Sequence, residues 1–222
     1  MKVFLIGLSI LVIFLGGFFF GVFTGANRSF PYNMMRSLSD KLRLHRPNLI
    51  VQEKVGVVLF GDSLSARGAW GEIQDSQNYE LLVLAQGGLR ASSFPYDPNT
   101  YSGNIHIYWL GTNDLLSGNN LVSALAGVER LAGKSAKAGK EVVILGVPVP
   151  LGLNSFRRGI FENYNRELSS LSSANGWRYL EINQILEDKY PERKKISPDG
   201  IHYTLEASEY FATVLLQFLE DS

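Results

Sequence analysis

Four short apolar segments, separated by loops and amphipathic stretches, constrain the fold of this chain more than any other feature. They are residues 55–60 (VGVVLF), 80–85 (ELLVLA), 105–110 (IHIYWL) and 141–147 (EVVILGV). Nearly continuous apolar runs of this length are typical of parallel strands whose two faces are both covered. The pattern therefore predicts an α/β fold, a three-layer α/β/α sandwich with a mostly parallel central sheet.

The stretches between and after these segments carry helical signals. Two helices, a short last strand and a closing helix are predicted at 121–138, 156–174, 180–182 and 204–219 respectively. Gly139 and the pair Asn175-Gly176 are placed as helix stops, since glycine and asparagine accept the left-handed conformation that ends many helices. Ligands of open parallel sheets bind beyond the carboxyl ends of the strands, so the residues that follow each strand are the candidates for a functional site.

The segment 3–26 is apolar or small throughout and contains no charged residue. A helix formed by this segment, at about 1.5 Å per residue, would be longer than the roughly 30 Å thickness of the hydrocarbon core of a bilayer. The segment therefore predicts an N-terminal transmembrane helix. A cleaved signal peptide is the alternative, because Thr24 and Ala26 resemble a small-residue cleavage site.

The chain divides into three parts: a membrane anchor or signal segment (1–26), a tether (27–54) and a folded domain (55–222). Basic residues are more numerous after the apolar segment than before it, which by the positive-inside rule alone would place the domain in the cytoplasm. A short basic N-terminus before a single span is also the usual arrangement for export. We expect a single-pass anchor in a bacterial inner membrane, with the domain on the periplasmic or exported side.

Composition excludes several classes of function. The 21 basic and 21 acidic side chains cancel, so no overall charge favours binding to nucleic acid. Cysteine is absent, which excludes disulfides, thiolate metal sites and cysteine nucleophiles.

The first three predicted strands each run into a short motif. The first is followed by GDSL (61–64) and the third by GTND (111–114). Ser63 lies at a strand-to-helix turn, where it either presents its hydroxyl to a cleft or simply caps the next helix. Asn113 either donates its amide N–H to an oxyanion or forms a local Asx-turn. The second strand leads to Gly87-Gly88, which leaves a backbone amide uncovered or makes a tight turn.

His202 is the histidine most suited to catalysis, because Asp199 precedes it by three residues in the loop SPDGIH (197–202). A carboxylate in this position can accept the Nδ1–H, fix the tautomer and leave Nε2 to take a proton from a serine. The alternative is an ordinary turn beside a solvated histidine. His45 lies in the tether, and His106 lies inside an apolar strand, where we expect a core residue.

The ordered set GDSL, a glycine after the second strand, GTND and DGIH resembles the SGNH, or GDSL-type, hydrolase family over residues 55–220. The resemblance implies a flavodoxin-like fold, with Ser63 as nucleophile, His202 as general base and Asp199 as the residue that orients it. It assigns the oxyanion hole to the Ser63 amide, the Gly88 amide and the Asn113 side chain.

Members of this family hydrolyse esters of lipids, small acyl groups and acylated sugars, and they require no metal or cofactor. The resemblance thus implies a carboxylic ester hydrolase whose substrate is a small-molecule ester or an acylated glycan or lipid. The membrane is a further expected partner, through the N-terminal segment 3–26. The alternatives are an acyltransferase on an envelope glycan or lipid, and a catalytically silent binding domain. The sequence leaves the oligomeric state open.

Three points stay open, and the first two arise because the chain departs from the family pattern. The stretch before the glycine pair lacks the asparagine that many members carry, so Gly88 competes with Gly87 for the oxyanion role. Arg90 either faces the cleft, where it favours an acidic substrate group, or lies on the surface. The aromatic residues of loop 92–103 either contact substrate or pack the loop down; they are Phe94, Tyr96 and Tyr101.

Overall fold

The computed structural model describes residues 54–118 and 121–221. The predicted membrane segment (1–26) and all but the last residue of the tether (27–54) lie outside the described residues. Within those two described ranges, no helix is long and apolar enough to cross a membrane.

Five parallel strands form one sheet in the order β2-β1-β3-β4-β5. Their bounds are β1 Val55–Gly61, β2 Tyr79–Ala85, β3 Ile105–Trp109, β4 Glu141–Leu145 and β5 Arg178–Leu180. The first four strands confirm the predicted ones to within two residues. The fifth lies two residues before its predicted place, because the Glu181 side chain accepts from the Asn183 amide and starts a helix there.

The helices, in chain order, are α1 Ser63–Ala66, α2 Gly71–Asp75, α3 Thr112–Leu116, α4 Leu121–Lys137, α5 Ser155–Asn175, α6 Ile182–Lys189, α7 Arg193–Ile196 and α8 Leu205–Glu220. A short 3₁₀ helix spans Pro98–Thr100. The three predicted long helices are confirmed as α4, α5 and α8. Gly176, with a φ of 69°, ends α5 in the left-handed conformation that its sequence signal predicted.

Two neighbouring residues of β3 contact helices on opposite faces of the sheet, which gives the fold its three layers. The Tyr108 hydroxyl donates to the Leu131 carbonyl of α4 at 3.1 Å, whereas the Trp109 ring lies 4.9 Å from the Phe211 ring of α8. Successive side chains of a strand point to opposite faces, so α4 and α8 cover opposite faces of the sheet. Helix α5 contacts α4 on the first face, and α2 and α6 contact α8 on the second.

The strand order places a topological switch point between β1 and β3. The chain leaves β1 for β2 on one side and returns to β3 on the other side of β1. Connections that diverge in this way open a crevice at the carboxyl ends of the two strands. The GDSL and GTND motifs follow these two strands, so the sheet brings both to one crevice.

Candidate active site

Ser63 begins helix α1 directly after β1, with one residue between strand and helix. That residue, Asp62, is the N-cap, and its side chain accepts from the Leu64 amide at 2.9 Å. The alternative in which Ser63 caps the helix is therefore wrong. The Ser63 hydroxyl does not cap the helix, and the residue is half-buried at the carboxyl end of β1.

Ser63, His202 and Asp199 are hydrogen-bonded in series, although 139 residues separate the first two. The distance from His202 Nε2 to Ser63 Oγ is 2.8 Å, and that from His202 Nδ1 to Asp199 Oδ2 is 2.7 Å. The histidine is therefore more than a solvated neighbour of a turn. Each ring nitrogen has the partner that a serine nucleophile and an orienting carboxylate would require.

The Asp199 carboxylate receives hydrogen bonds on both oxygens. Its Oδ1 accepts from the amides of Ile201 and His202 at 2.9 and 2.8 Å, while Oδ2 faces the imidazole. Partial burial raises the pKa of Asp199, but the hydrogen bonds from His202 and the two amides outweigh it and lower the pKa to about 2. The carboxylate is therefore ionised at neutral pH, as an acceptor of Nδ1–H must be.

The loop after β4 is hydrogen-bonded to the loop that carries His202. The Leu151 amide donates to the Gly200 carbonyl at 2.8 Å, which joins the segment after β4 to the segment before α8. Gly200 has a φ of 80°, and a Cβ there would lie 3.3 Å from Leu151. The turn between Asp199 and His202 therefore depends on glycine for its backbone conformation.

The Asn113 side chain joins the carboxyl ends of three strands. Its Nδ2 donates to the Leu89 carbonyl at 3.0 Å and to Asp62 Oδ2 at 3.3 Å, so the local Asx-turn does not describe it. The amides of Ser63 and Gly88 have no protein acceptor in the described parts of the chain. Gly88 has a φ of 81°, and its neighbour Leu89 carries the carbonyl that Asn113 binds. The structure thus places all three predicted oxyanion donors just beyond the carboxyl ends of β1, β2 and β3; their roles remain predictions.

Two buried carboxyl groups beneath this crevice were not assigned any role from the sequence. Asp62 and Asp114 are both fully buried. Asp114 accepts from the Ala91 amide at 2.8 Å and from the Ser92 hydroxyl at 2.6 Å, and so ties the loop after β2 to α3. Burial, augmented by the charge of Asp114, raises the pKa of Asp62 to about 7. The sequence could have pointed to both residues, since Asp62 lies inside the GDSL motif and Asp114 inside the GTND motif.

The aromatic residues of loop 92–103 pack the loop down. The rings of Phe94 and Tyr101 lie 6.2 and 5.9 Å from the Phe60 ring, and Tyr96 lies against Phe94. Phe94 is buried. Of the two interpretations left open, packing is the one this geometry supports. Arg90 is half-buried, and its contact with an acidic substrate group stays a prediction.

His106 is a core residue, as its place in an apolar strand predicted. It is fully buried, and its Nδ1 lies 2.6 Å from Ser135 Oγ. Burial, with a smaller contribution from the positive charge of Lys140, lowers the pKa of His106 to about 4. Within the described residues, no group of three or more histidine and carboxylate side chains is arranged to hold a metal ion.

Comparison with known proteins gives a likeness of fold. Neither a protein-family model nor a curated protein matches the sequence. An acetyl xylan esterase superposes with a TM-score of 0.65 at 14% identity, covering 73% of this chain and 98% of that chain. A member of the lipolytic G-D-S-L family from Veillonella parvula gives 0.64 at 16% identity, with 73% and 96% covered. A GDSL-like lipase from Bacteroides thetaiotaomicron gives 0.63 at 19% identity, with 85% and 98% covered.

The chain has the SGNH hydrolase fold. This confirms the fold that the ordered motifs predicted. In this SGNH fold, the first motif supplies Ser63 after β1, the third supplies Asn113 after β3, and the last supplies Asp199 and His202 before α8. The carboxyl ends of the strands bring these motifs together.

Proposed function

We propose that this chain is a serine hydrolase that cleaves carboxylic esters through an acyl-enzyme on Ser63. The observation that carries the proposal is the hydrogen-bonded series Ser63–His202–Asp199, with heavy-atom distances of 2.8 and 2.7 Å. Distances of this size lie within the range over which a base takes a proton from a nucleophile. The likeness of fold to an acetyl xylan esterase and to a GDSL-like lipase supports the choice of ester chemistry.

In the first step, Ser63 Oγ bonds to the acyl carbon while its proton passes to His202 Nε2. The tetrahedral intermediate collapses when the bond to the alcohol oxygen breaks, and the alcohol leaves with that proton. Water then attacks the acyl-enzyme, gives a proton to the same nitrogen and releases the acid as the proton returns to Ser63. Asp199 stays ionised throughout and stabilises the imidazolium that forms twice.

Negative charge develops on the former carbonyl oxygen in both steps. We assign its stabilisation to the amides of Ser63 and Gly88 and to the Asn113 side chain, which surround one crevice. A preorganised donor of this kind typically contributes about 3–4 kcal/mol to transition-state stabilisation. The scheme uses no metal or organic cofactor, because Ser63 supplies the nucleophile, His202 the base and Asp199 its orientation.

The location of the enzyme is part of the proposal. The uncharged segment 3–26 supports a bilayer anchor, with the domain on the exported side of a bacterial inner membrane. An ester of a lipid or of an acylated envelope glycan would be available there.

The direct test is hydrolysis of p-nitrophenyl acetate, butyrate and octanoate by the purified full chain in detergent. We expect Ser63→Ala to reduce turnover by at least a thousandfold, because the oxygen that forms the covalent bond is gone. Ser173→Ala is the matched control, since that serine is exposed near the end of α5. The dependence on acyl chain length would separate short-chain esters from lipids.

The alternatives give different results in the same assay. An acyltransferase would release p-nitrophenol faster when an alcohol acceptor is added and would yield the acylated alcohol. A silent binding domain would show no Ser63-dependent release on any ester, with or without acceptor. Equal rates for the Ser63→Ala variant and the parent would refute the proposed nucleophile.

A further inference from the structure

Three exposed apolar side chains lie on one edge of the domain. Val122, Phe156 and Leu205 expose 64%, 76% and 68% of their surface. Each is the first or second residue of a helix, α4, α5 and α8 respectively. Helices α4 and α5 come after β3 and β4 and so begin at the edge where those strands end. Helix α8 begins at Leu205, three residues after His202, whose Nε2 lies 2.8 Å from Ser63 Oγ. The three side chains therefore share the edge that carries Ser63, and we refer to them as the apolar rim.

The chain itself on one side and a hydrogen bond on the other connect this rim to the candidate active site. Leu205 lies three residues after His202, with Thr204 between them as the cap of α8. On the other side, the Arg157 guanidinium, next to Phe156, donates to the Leu116 carbonyl at 3.0 Å. Leu116 ends α3, the short helix that carries Asn113. The rim thus flanks the crevice on the histidine side and on the asparagine side.

The distribution of these side chains is uneven. Among the described residues, one other large apolar side chain is exposed, Val55, at 38%. It begins β1 and so lies at the opposite edge of the sheet. Single exposed apolar residues are normal on protein surfaces, whereas a group of them around a site marks a contact with another apolar phase or partner.

We propose that the apolar rim contacts the surface of a lipid bilayer and presents Ser63 to esters held in that bilayer. The inference deepens the proposed ester hydrolysis and rests on the proposed membrane tether. Lipid is the favoured occupant because the chain itself contains an uncharged segment, 3–26, long enough to span a bilayer. Arg158, two residues after Phe156, is exposed and forms a surface ion pair with Glu162 at 2.7 Å. A basic side chain at this place would lie at the level of anionic headgroups.

The tether is long enough to allow this orientation. Residues 27–53, at roughly 3.3–3.6 Å each when extended, could reach at most about 97 Å. The sheet is much shorter, since the seven residues of β1 rise by about 23 Å. The described domain begins at the edge opposite the rim, and a connection of this length can pass the full height of the domain.

Spin labels on single cysteines test the contact directly, because the chain has no native cysteine. We would prepare the full chain with Phe156→Cys, Leu205→Cys or the control Val55→Cys, each carrying a nitroxide, in phosphatidylcholine–phosphatidylglycerol vesicles. Oxygen concentrates in lipid and a nickel chelate stays in water, so their relative access reports depth. We expect the oxygen-to-nickel access ratio at positions 156 and 205 to exceed that at position 55 at least threefold.

Three outcomes would overturn the proposal. They are equal access ratios at all three positions, failure of the full chain to associate with vesicles, and labels at 156 and 205 already shielded from nickel without vesicles. The last would indicate a protein partner, such as a second copy. Because label depth does not depend on turnover, a catalytically inactive chain with lipid-inserted labels would refute the proposed hydrolysis alone. Circular dichroism of each labelled variant shows whether it is folded.

Discussion

The side-chain amide of Asn113 donates to the buried carboxyl group of Asp62, with 3.3 Å between Nδ2 and Oδ2. The same nitrogen donates to the Leu89 carbonyl at 3.0 Å. Both N–H groups of this amide thus have protein acceptors. An oxyanion that forms beside Ser63 would accept a hydrogen bond from the N–H group that donates to Asp62, because that bond is the longer of the two. The residue before the proposed nucleophile therefore positions one of the proposed oxyanion donors.

Asn113→Ala should lower kcat by about a hundred- to a thousandfold and leave KM within about threefold of the parent. The reason is that its N–H bonds the oxyanion only after the carbonyl has been attacked. Steady-state kinetics on p-nitrophenyl butyrate would measure both constants. Asn175→Ala, at the exposed end of α5, is the control. A raised KM with unchanged kcat would instead assign Asn113 to ground-state substrate binding.

Asp199→Asn should reduce kcat by about a hundred- to ten-thousandfold with little change in the fold. Asparagine can still accept from the Ile201 and His202 amides, but its amide nitrogen would face His202 Nδ1. That arrangement favours the tautomer with hydrogen on Nε2, which cannot take the Ser63 proton. Pre-steady-state acylation rates would measure the effect, with exposed Asp75→Asn as control. Parental acylation in the Asp199 variant would exclude an orienting role.

The same carboxylate should make stability depend on pH in acid. The hydrogen bonds of Asp199 depress its pKa from 3.8 to about 2, so its contribution to stability is fully present above the unfolded pKa. That contribution is lost as the pH falls through about 2. Urea unfolding of the parent and of Asp199→Asn at pH 2 and pH 6 would measure the difference. We expect the variant to lose less stability on acidification, and an equal loss would contradict the assignment.

The buried Asp62 carboxyl group should change the pH dependence of stability in the opposite direction. Burial raises its pKa from 3.8 to about 7, so the folded chain retains a proton that the unfolded chain releases within that window. The free energy of unfolding therefore falls as the pH rises from about 4 to 7 and is constant with respect to this group above it. A shift of this size corresponds to a few kcal/mol at most.

Asp62→Asn, which is neutral at every pH, should remove that dependence. The urea midpoint of unfolding should decrease less between pH 5 and pH 8 in the variant than in the parent. Asp75→Asn, at an exposed position of α2, should behave like the parent. If the Asp62 variant kept the full parental decrease, another group would be responsible for it.

Two glycines of α4 provide a matched pair for the loop after β2. A Cβ at Gly127 would lie 2.4 Å from the Ala91 carbonyl carbon, whereas a Cβ at Gly133 meets nothing within 4 Å. Gly127→Ala should therefore destabilise the fold by about 1–3 kcal/mol and displace the Ala91–Ser92 backbone that Asp114 holds. Gly133→Ala should stabilise it by up to about 1 kcal/mol, because alanine favours a helix.

Thermal unfolding of both glycine variants would compare these effects. The Gly127 variant should also lose esterase activity below its melting temperature, since the displaced loop carries Gly88 and Leu89. If the two alanine variants had equal stability, the close approach of loop and helix would not constrain this region.

The sequence by itself determined where the strands and the long helices lie along the chain. Strands buried on both faces need continuous apolar residues, and helix ends such as Gly176 need residues that accept a left-handed backbone. These are local requirements, so they can be read locally. The ordered motifs also predicted Ser63, Asn113, Asp199 and His202 as a set, and the structure brings all four to one crevice.

Only the tertiary structure decided which neighbour each polar group has. Asp62, rather than Ser63, caps α1, and its second oxygen meets Asn113 from another strand. In loop 92–103, Phe94 and Tyr101 pack on Phe60 and Tyr96 packs on Phe94, although their composition suits a sugar contact equally well. These outcomes depend on how residues distant in the chain are packed at the carboxyl ends of β1, β2 and β3. Sequence spacing carries no information about such contacts, because the sheet order and the burial it imposes create them.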